Sequence, residues 1–200
     1  EEVIHGLHID GGQLMQLARD NAEANGISFS VFDYIKQHHP NIDINIIESI
    51  YRERARAISD SLVEVGASEL IKFLRSTGRE FCIMSYGDKR WQTLKIMGAG
   101  FDDVPKLIVP SQQKSLYIKQ WRNIKSGGFI VPKACFLDNK PREAREIILV
   151  DDKASAFEGM PIGARGYLVQ KQSSMKLPQQ SELPPNVQSV SRIDEIIDLE

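Results

Sequence analysis

The sequence predicts an α/β fold, a parallel sheet with helices on both faces and a small helical cap. Ile147-Ile148-Leu149-Val150 is an unbroken aliphatic run, the mark of a strand buried on both faces. Other aliphatic runs alternate along the chain with segments of helical periodicity, the pattern of strand-helix-strand crossovers. The helical stretch before Leu70 exceeds what one crossover needs, which predicts a helical insertion after the first strand.

A chain of 200 residues with 42% hydrophobic content can bury one sizeable core with a small appended subdomain. Its net charge of -2, with the signs interspersed, leaves no footprint for nucleic acid or a membrane surface. No apolar run approaches membrane-spanning length and no signal peptide is visible. The two cysteines, Cys82 and Cys135, lie in apolar runs and offer neither a disulfide framework nor a CxxC metal motif. A reducing, cytoplasm-like compartment is the expectation, with targeting left open because the chain starts at Glu1.

Val3-Ile4-His5-Gly6-Leu7-His8-Ile9 reads as the first strand and ends in Asp10-Gly11-Gly12, where paired glycines let backbone approach a ligand closely. Leu14, Leu17, Ala18 and Ala22 mark a short amphipathic helix stopped near Gly26. The next element carries Phe29, Phe32, Tyr34 and Ile35 and closes at His38-His39-Pro40. Adjacent histidines point to different helix faces, so this pair reads as a solvated helix end. Asp43 is expected to cap a longer helix with apolar positions Ile47, Ile50, Tyr51, Ile58, Leu62 and Val65. Arg52, Glu53, Arg54 and Arg56 fall mostly on its opposite, solvated side. Gly66 stops that helix, and another carries Leu70, Ile71 and Leu74 to Gly78.

Phe81-Cys82-Ile83-Met84 is the second strand, followed by Ser85-Tyr86-Gly87-Asp88, with Asp88 capping a helix of Trp91, Leu94 and Met97. Leu107-Ile108-Val109 is the third, closed by Pro110. From Ser111 a helix turns Leu116, Ile118 or Trp121 inward and carries Lys114 in its first turn. The helix dipole disfavours a cation there, which makes Lys114 odd as a structural residue and natural as a phosphate ligand. Phe129 to Pro132 and Ala134 to Leu137 are expected to form a small hairpin. The aliphatic run then ends in Asp151-Asp152. Adjacent carboxylates at a buried strand's end repel each other, so a cation normally sits between them. In open α/β sheets that edge is also where ligands bind, although a solvated turn is the alternative. Beyond it come a helical turn or two from Lys153 to Glu158, and a short strand Tyr167-Leu168-Val169. A Ser/Gln/Pro-rich surface loop through Pro178, Pro184 and Pro185 leads to a final helix over Ile193 to Leu199.

Three strand ends, His8-Ile9-Asp10-Gly11-Gly12, Met84-Ser85 and Val150-Asp151-Asp152, with Lys114 between the last two, resemble the four motifs of the haloacid dehalogenase superfamily of phosphatases. Their order, strand placement and approximate spacing match over nearly the whole chain. The resemblance implies a Rossmann-like core over residues 1–12 and 67–200, with a small cap at 13–66. It also implies Mg²⁺-dependent hydrolysis of phosphomonoesters. Asp10 would be the general acid/base with its carbonyl on Mg²⁺, Ser85 would hydrogen-bond the phosphoryl group, and Lys114 would neutralise it. Lys119 and Lys125 compete with Lys114 for that role. Asp151 and Asp152 would hold Mg²⁺ as hard oxygen ligands. Small caps leave the site open, so the implied substrate is a phosphoprotein, phosphotyrosine included, or a small phosphometabolite.

The chain departs from the pattern where the family's nucleophilic aspartate falls on His8 and its Thr or Val on Gly12. Neutral imidazole can attack phosphorus itself, giving a phosphohistidine, but it is a poor Mg²⁺ ligand. A shifted register would make Asp10 the nucleophile and leave Gly12 where the acid belongs. The third alternative is a catalytically impaired module that binds a phospho-ligand without turnover.

Overall fold

A computed structural model describes residues 16, 17, 20, 30–170 and 178–200. The first predicted strand, with His8 and Asp10, lies outside the described residues. The contacts divide the chain into two compact units. One comprises residues up to Val63 together with Met84–Ser111; the other comprises Glu64–Ile83 and Gln112–Glu200.

In the first unit, helix α1 (Val31–His38) starts where the Ser30 hydroxyl accepts the Asp33 N–H, at 3.2 Å. It ends at the histidine pair, with His38 exposed. Helix α2 (Ile44–Ala57) is capped by Asp43, whose side chain accepts the Asn45 N–H at 2.9 Å, as the sequence suggested. The predicted continuation to Val65 breaks at Ile58. Both the hydroxyl and the N–H of Ser61 bond the Ile58 carbonyl, at 2.7 and 2.9 Å, and start the single turn α3 (Ser59–Leu62). Ile58, Leu62 and Val65 are consequently exposed, and only Ile47 of the predicted stripe is fully buried. Strand β1 (Ile83–Tyr86) pairs with β2 (Lys106–Val109). Between them runs α5 (Lys89–Gly98), capped by Asp88 accepting the Trp91 N–H at 2.7 Å. Trp91 meets the rings of Phe32 and Tyr51 edge-on, with centroids 5.8 and 5.2 Å away. Helix α2 lies so close to Gly98 that a Cβ there would sit 2.7 Å from that of Ala55.

The second unit holds α4 (Ala67–Ser76), α6 (Lys114–Gln120) and a parallel sheet of β5 (Ile147–Asp151), β6 (Ala164–Val169) and β7 (Val187–Val190), in that order. Side chains alternate between the sheet's faces. Ala164, Leu168, Leu149 and Val187 pack on one face with Ile118 of α6, Phe157 and Phe129. Tyr167, Val169, Ile148, Val150 and Val190 pack on the other with Leu70 of α4 and Ile196. Helical segments therefore cover both faces, as the aliphatic run predicted. The expected hairpin takes another partner: β3 (Phe129–Val131) pairs antiparallel with β4 (Arg142–Ala144). Pro132 carries no N–H, and Lys133–Cys135 coil into a 3-10 turn, which removes the intended strand. Strand β7 lies between the expected Pro-rich loop and the expected final helix, and Ile193–Leu199 is a 3-10 segment instead of an α-helix.

Glu200 closes this unit. Its carboxylate, 5% exposed, accepts hydrogen bonds from the Tyr167 hydroxyl at 2.7 Å and from Arg79 at 2.9 Å, and pairs with Arg165 at 2.9 Å. Burial would raise the Glu200 pKa, but these donors outweigh it and hold the group below its ordinary value. Burial, and then the bond to Glu200, push the Tyr167 hydroxyl up to about 12. The signs are opposite in effect. Stabilisation by Glu200 is present above its unfolded value of 4.5 and is lost as pH falls toward the lower folded value. That of neutral Tyr167 is present below 10.0 and is lost as pH rises toward about 12. Thermal midpoints should therefore be flat across neutral pH and fall at both ends. Glu200→Gln should cost roughly 1–3 kcal/mol near neutrality and blunt the acid limb. An unchanged acid limb in Glu200→Gln would exclude this carboxylate as its source.

Candidate functional site

Alternation along β5 decides which of the two adjacent carboxylates faces α6. Ile147 and Leu149 belong to the α6 side of the sheet, so Asp151 does too, while Asp152 lies beyond the strand's end. Helix periodicity supplies the partner. Ile118 is driven into the core at 1% exposure, and Lys114, one turn earlier, lies on the same face of α6. Its ammonium meets the Asp151 carboxylate at 2.5 Å, with the two side chains 15% and 6% exposed. The other Asp151 oxygen accepts the Lys153 N–H at 2.8 Å, which turns the chain at the strand's end. Asp152 is exposed.

The start of α6 is fixed by its neighbours. Ser115 is fully buried and its hydroxyl donates to the Glu158 carbonyl at 2.5 Å. The Gln113 amide donates to the Glu158 carboxylate at 2.7 Å. The sequence reading missed both anchors, because a Gln just before a short helix and a Ser in its first turn look like ordinary polar surface chemistry. Lys119 and Lys125, the competing lysines, are exposed.

Ser85 belongs to the first unit and lies within β1, not after it. Its hydroxyl donates to the Gln92 side-chain carbonyl of α5 at 3.0 Å. Gln92 was not singled out from the sequence, since no local pattern links a strand serine to a glutamine in the next helix. The structure thus joins Lys114 to Asp151, with Asp152 adjacent, and sets Ser85 against Gln92. His8 and Asp10 lie outside the described residues. Among the described residues no group of three or more metal-ligating side chains assembles. Among them also no helix is long and apolar enough to cross a membrane.

No protein-family model matches the chain, and no curated protein matches it. A solved structure does: a haloacid dehalogenase-like hydrolase from Burkholderia xenovorans LB400, whose own assignment is provisional. The two share 18% identity at a TM-score of 0.60, over 94% of this chain and 80% of that one. At that identity the likeness shows the fold. The chain has the α/β, Rossmann-like fold of a haloacid dehalogenase-like protein.

The ion pair is open to test by itself. A buried carboxylate stripped of its partner is left uncompensated, whereas replacing both members removes the charge altogether. Lys114→Met should therefore destabilise by about 3 kcal/mol, within the range for broken buried pairs, and Lys114→Met with Asp151→Leu should recover most of that loss. Denaturant midpoints measure both. A double variant no more stable than the single one would mean that the pair does not act as a unit.

Proposed function

We propose that the chain is a Mg²⁺-dependent hydrolase of phosphomonoesters, acting on a phosphoprotein, phosphotyrosine included, or on a small phosphometabolite. The observation that carries this reading is the Lys114–Asp151 pair at the C-terminal end of a parallel strand, with a second carboxylate beside it. That edge of an α/β sheet is where ligands bind. The fold shared with a haloacid dehalogenase-like hydrolase supports the same class of activity.

The donor set suits the metal. Asp151 and Asp152 offer hard carboxylate oxygens, and each Asp151 oxygen keeps a lone pair beyond its present hydrogen bond. Two such residues fit a cation that keeps much of its own water, as Mg²⁺ does. By the motif resemblance, Asp10 would complete the set. The bound ion would supply positive charge to the phosphoryl oxygens. Lys114 adds its own charge there, and Asp151 holds that ammonium in place. By the same resemblance Ser85, whose hydroxyl donates to Gln92, would hydrogen-bond the phosphoryl group. Asp10 protonates the leaving oxygen and then takes a proton from the incoming water.

A second reading rests on His8, which stands where the family pattern has its nucleophilic aspartate. On that reading the chain binds a phospho-ligand and turns it over slowly or not at all. p-Nitrophenyl phosphate, assayed with and without Mg²⁺, separates the two. Phosphatase function predicts Mg²⁺-dependent release that drops about 100-fold in Asp151→Asn and in Lys114→Ala, with Lys119→Ala and Lys125→Ala near wild type. Release indifferent to Mg²⁺ and to Asp151→Asn would defeat it. The binding-module reading predicts vanadate binding without turnover, and a gain of turnover in His8→Asp. If the wild type is active and His8→Asp is not, His8 itself carries the phosphoryl group. The trapped intermediate would then be acid-labile.

A further inference from the structure

Lys114 stands between two residues that are both tied to Glu158, far along the chain. Helix α6 begins without a side-chain cap of its own, and the helix dipole opposes a lysine in its first turn. Local structure therefore does little to place Lys114. On one side of it, Ser115 is fully buried, the one polar residue so enclosed among those described. Its hydroxyl donates to the Glu158 carbonyl at 2.5 Å, across 43 residues of chain. On the other side, the Gln113 amide donates to the Glu158 carboxylate at 2.7 Å, but that bond is exposed and competes with water. The buried bond is the stronger constraint, because a group left unpaired there has no water to turn to.

The Glu158 carbonyl is itself held in place. Before it, Phe157 is fully buried and seated against Gly166. After it, Gly159 turns the chain at φ +70°, a conformation that other residues rarely adopt. Toward the strand, the Lys153 N–H bonds Asp151 at 2.8 Å, and the Lys153 carbonyl accepts the Ala156 N–H at 3.0 Å. The contacts close into a ring. It runs from Asp151 through residues 153–158 to Ser115, one residue back to Lys114, and through the ion pair to Asp151 again. A lysine has a long flexible stem, so the place of its ammonium depends on where its backbone is fixed.

We propose that Ser115 is a positioning residue for Lys114. Its bond to Glu158 sets the place from which the Lys114 ammonium meets Asp151. The use of that placement, presenting the ammonium to a phosphoryl group, rests on the phosphatase reading above. Wholly enclosed, Ser115 meets no ligand itself and acts through Lys114.

Two measurements on Ser115→Ala test this. The first is the coupling between Lys114 and Asp151, taken from denaturant midpoints of Lys114→Met, Asp151→Leu and their combination. In the Ser115→Ala background that coupling should fall by roughly half or more, because a buried ion pair depends on its geometry. A serine that only anchors the fold would lower all midpoints alike and leave the coupling unchanged, which would overturn the proposal. The second is calorimetric binding of inorganic phosphate in the presence of Mg²⁺. Ser115→Ala should weaken it about tenfold, and should weaken it no further once Lys114 is replaced by Ala. An equal loss with and without Lys114 would also overturn the proposal. Should Ser115→Ala fail to fold, Ser115→Cys, similar in size with a weaker donor, carries both measurements. Coupling that falls in a chain whose wild type binds no phosphate would defeat the phosphatase reading and leave the positioning role standing.

Discussion

Strand β6 must be buried on both faces, and the second unit is arranged around meeting that demand. One face receives Phe157 and the other Ile196, each nearly inaccessible. Gly166 makes the first contact possible. A Cβ there would lie 2.7 Å from two atoms of the Phe157 ring and 3.0 Å from Val187, so a larger residue would push the ring off the sheet. With Phe157 seated, the segment Ala154–Phe157 and helix α6 close over that face, and β5 is held in register with β6 from Ile147↔Ala164 to Asp151↔Leu168.

That register brings a carboxylate to the end of a hydrophobic sheet and a lysine to meet it. The arrangement is a poor way to gain stability, because desolvating two charges offsets most of their attraction. Two apolar residues would serve the core at least as well. The proposed function gives such a pair a use at this edge, where ligands bind in open α/β sheets. Lys114 alone would leave a nearly buried cation unbalanced, and Asp151 alone a buried anion. Together they form a neutral unit.

The legible parts of the sequence were those with one strong local cause. Four aliphatics ahead of Asp151 specify β5 whatever surrounds them, and Asp43 and Asp88 cap their helices through bonds made within three residues. Lys114 stood out because the helix dipole opposes it. The misread parts depend on distant partners. Val187 and Val190 become strand only because β6 offers its free edge, and nothing between Pro185 and Ser191 announces that. The pairing of β3 with Arg142–Ala144 passes over a nearer, more hydrophobic candidate, since Pro132 and the following turn deny it an extended backbone. The stripe Ile58, Leu62 and Val65 has helical spacing, yet Ser61 takes the Ile58 carbonyl and the helix stops.

On the proposed reading, binding and turnover rest on different residues. Lys114, Asp151 and Asp152 sit on the sheet edge of one unit and suit the charge of a phosphoryl group and its metal. Asp151 is held by Lys114 and by the Lys153 N–H. On the proposed reading the covalent step falls to the segment of His8 and Asp10, where the family pattern is altered. On that reading His8 decides what happens to a bound phosphoryl group. On that reading, loss of hydrolysis with retention of binding would be reached through one side chain.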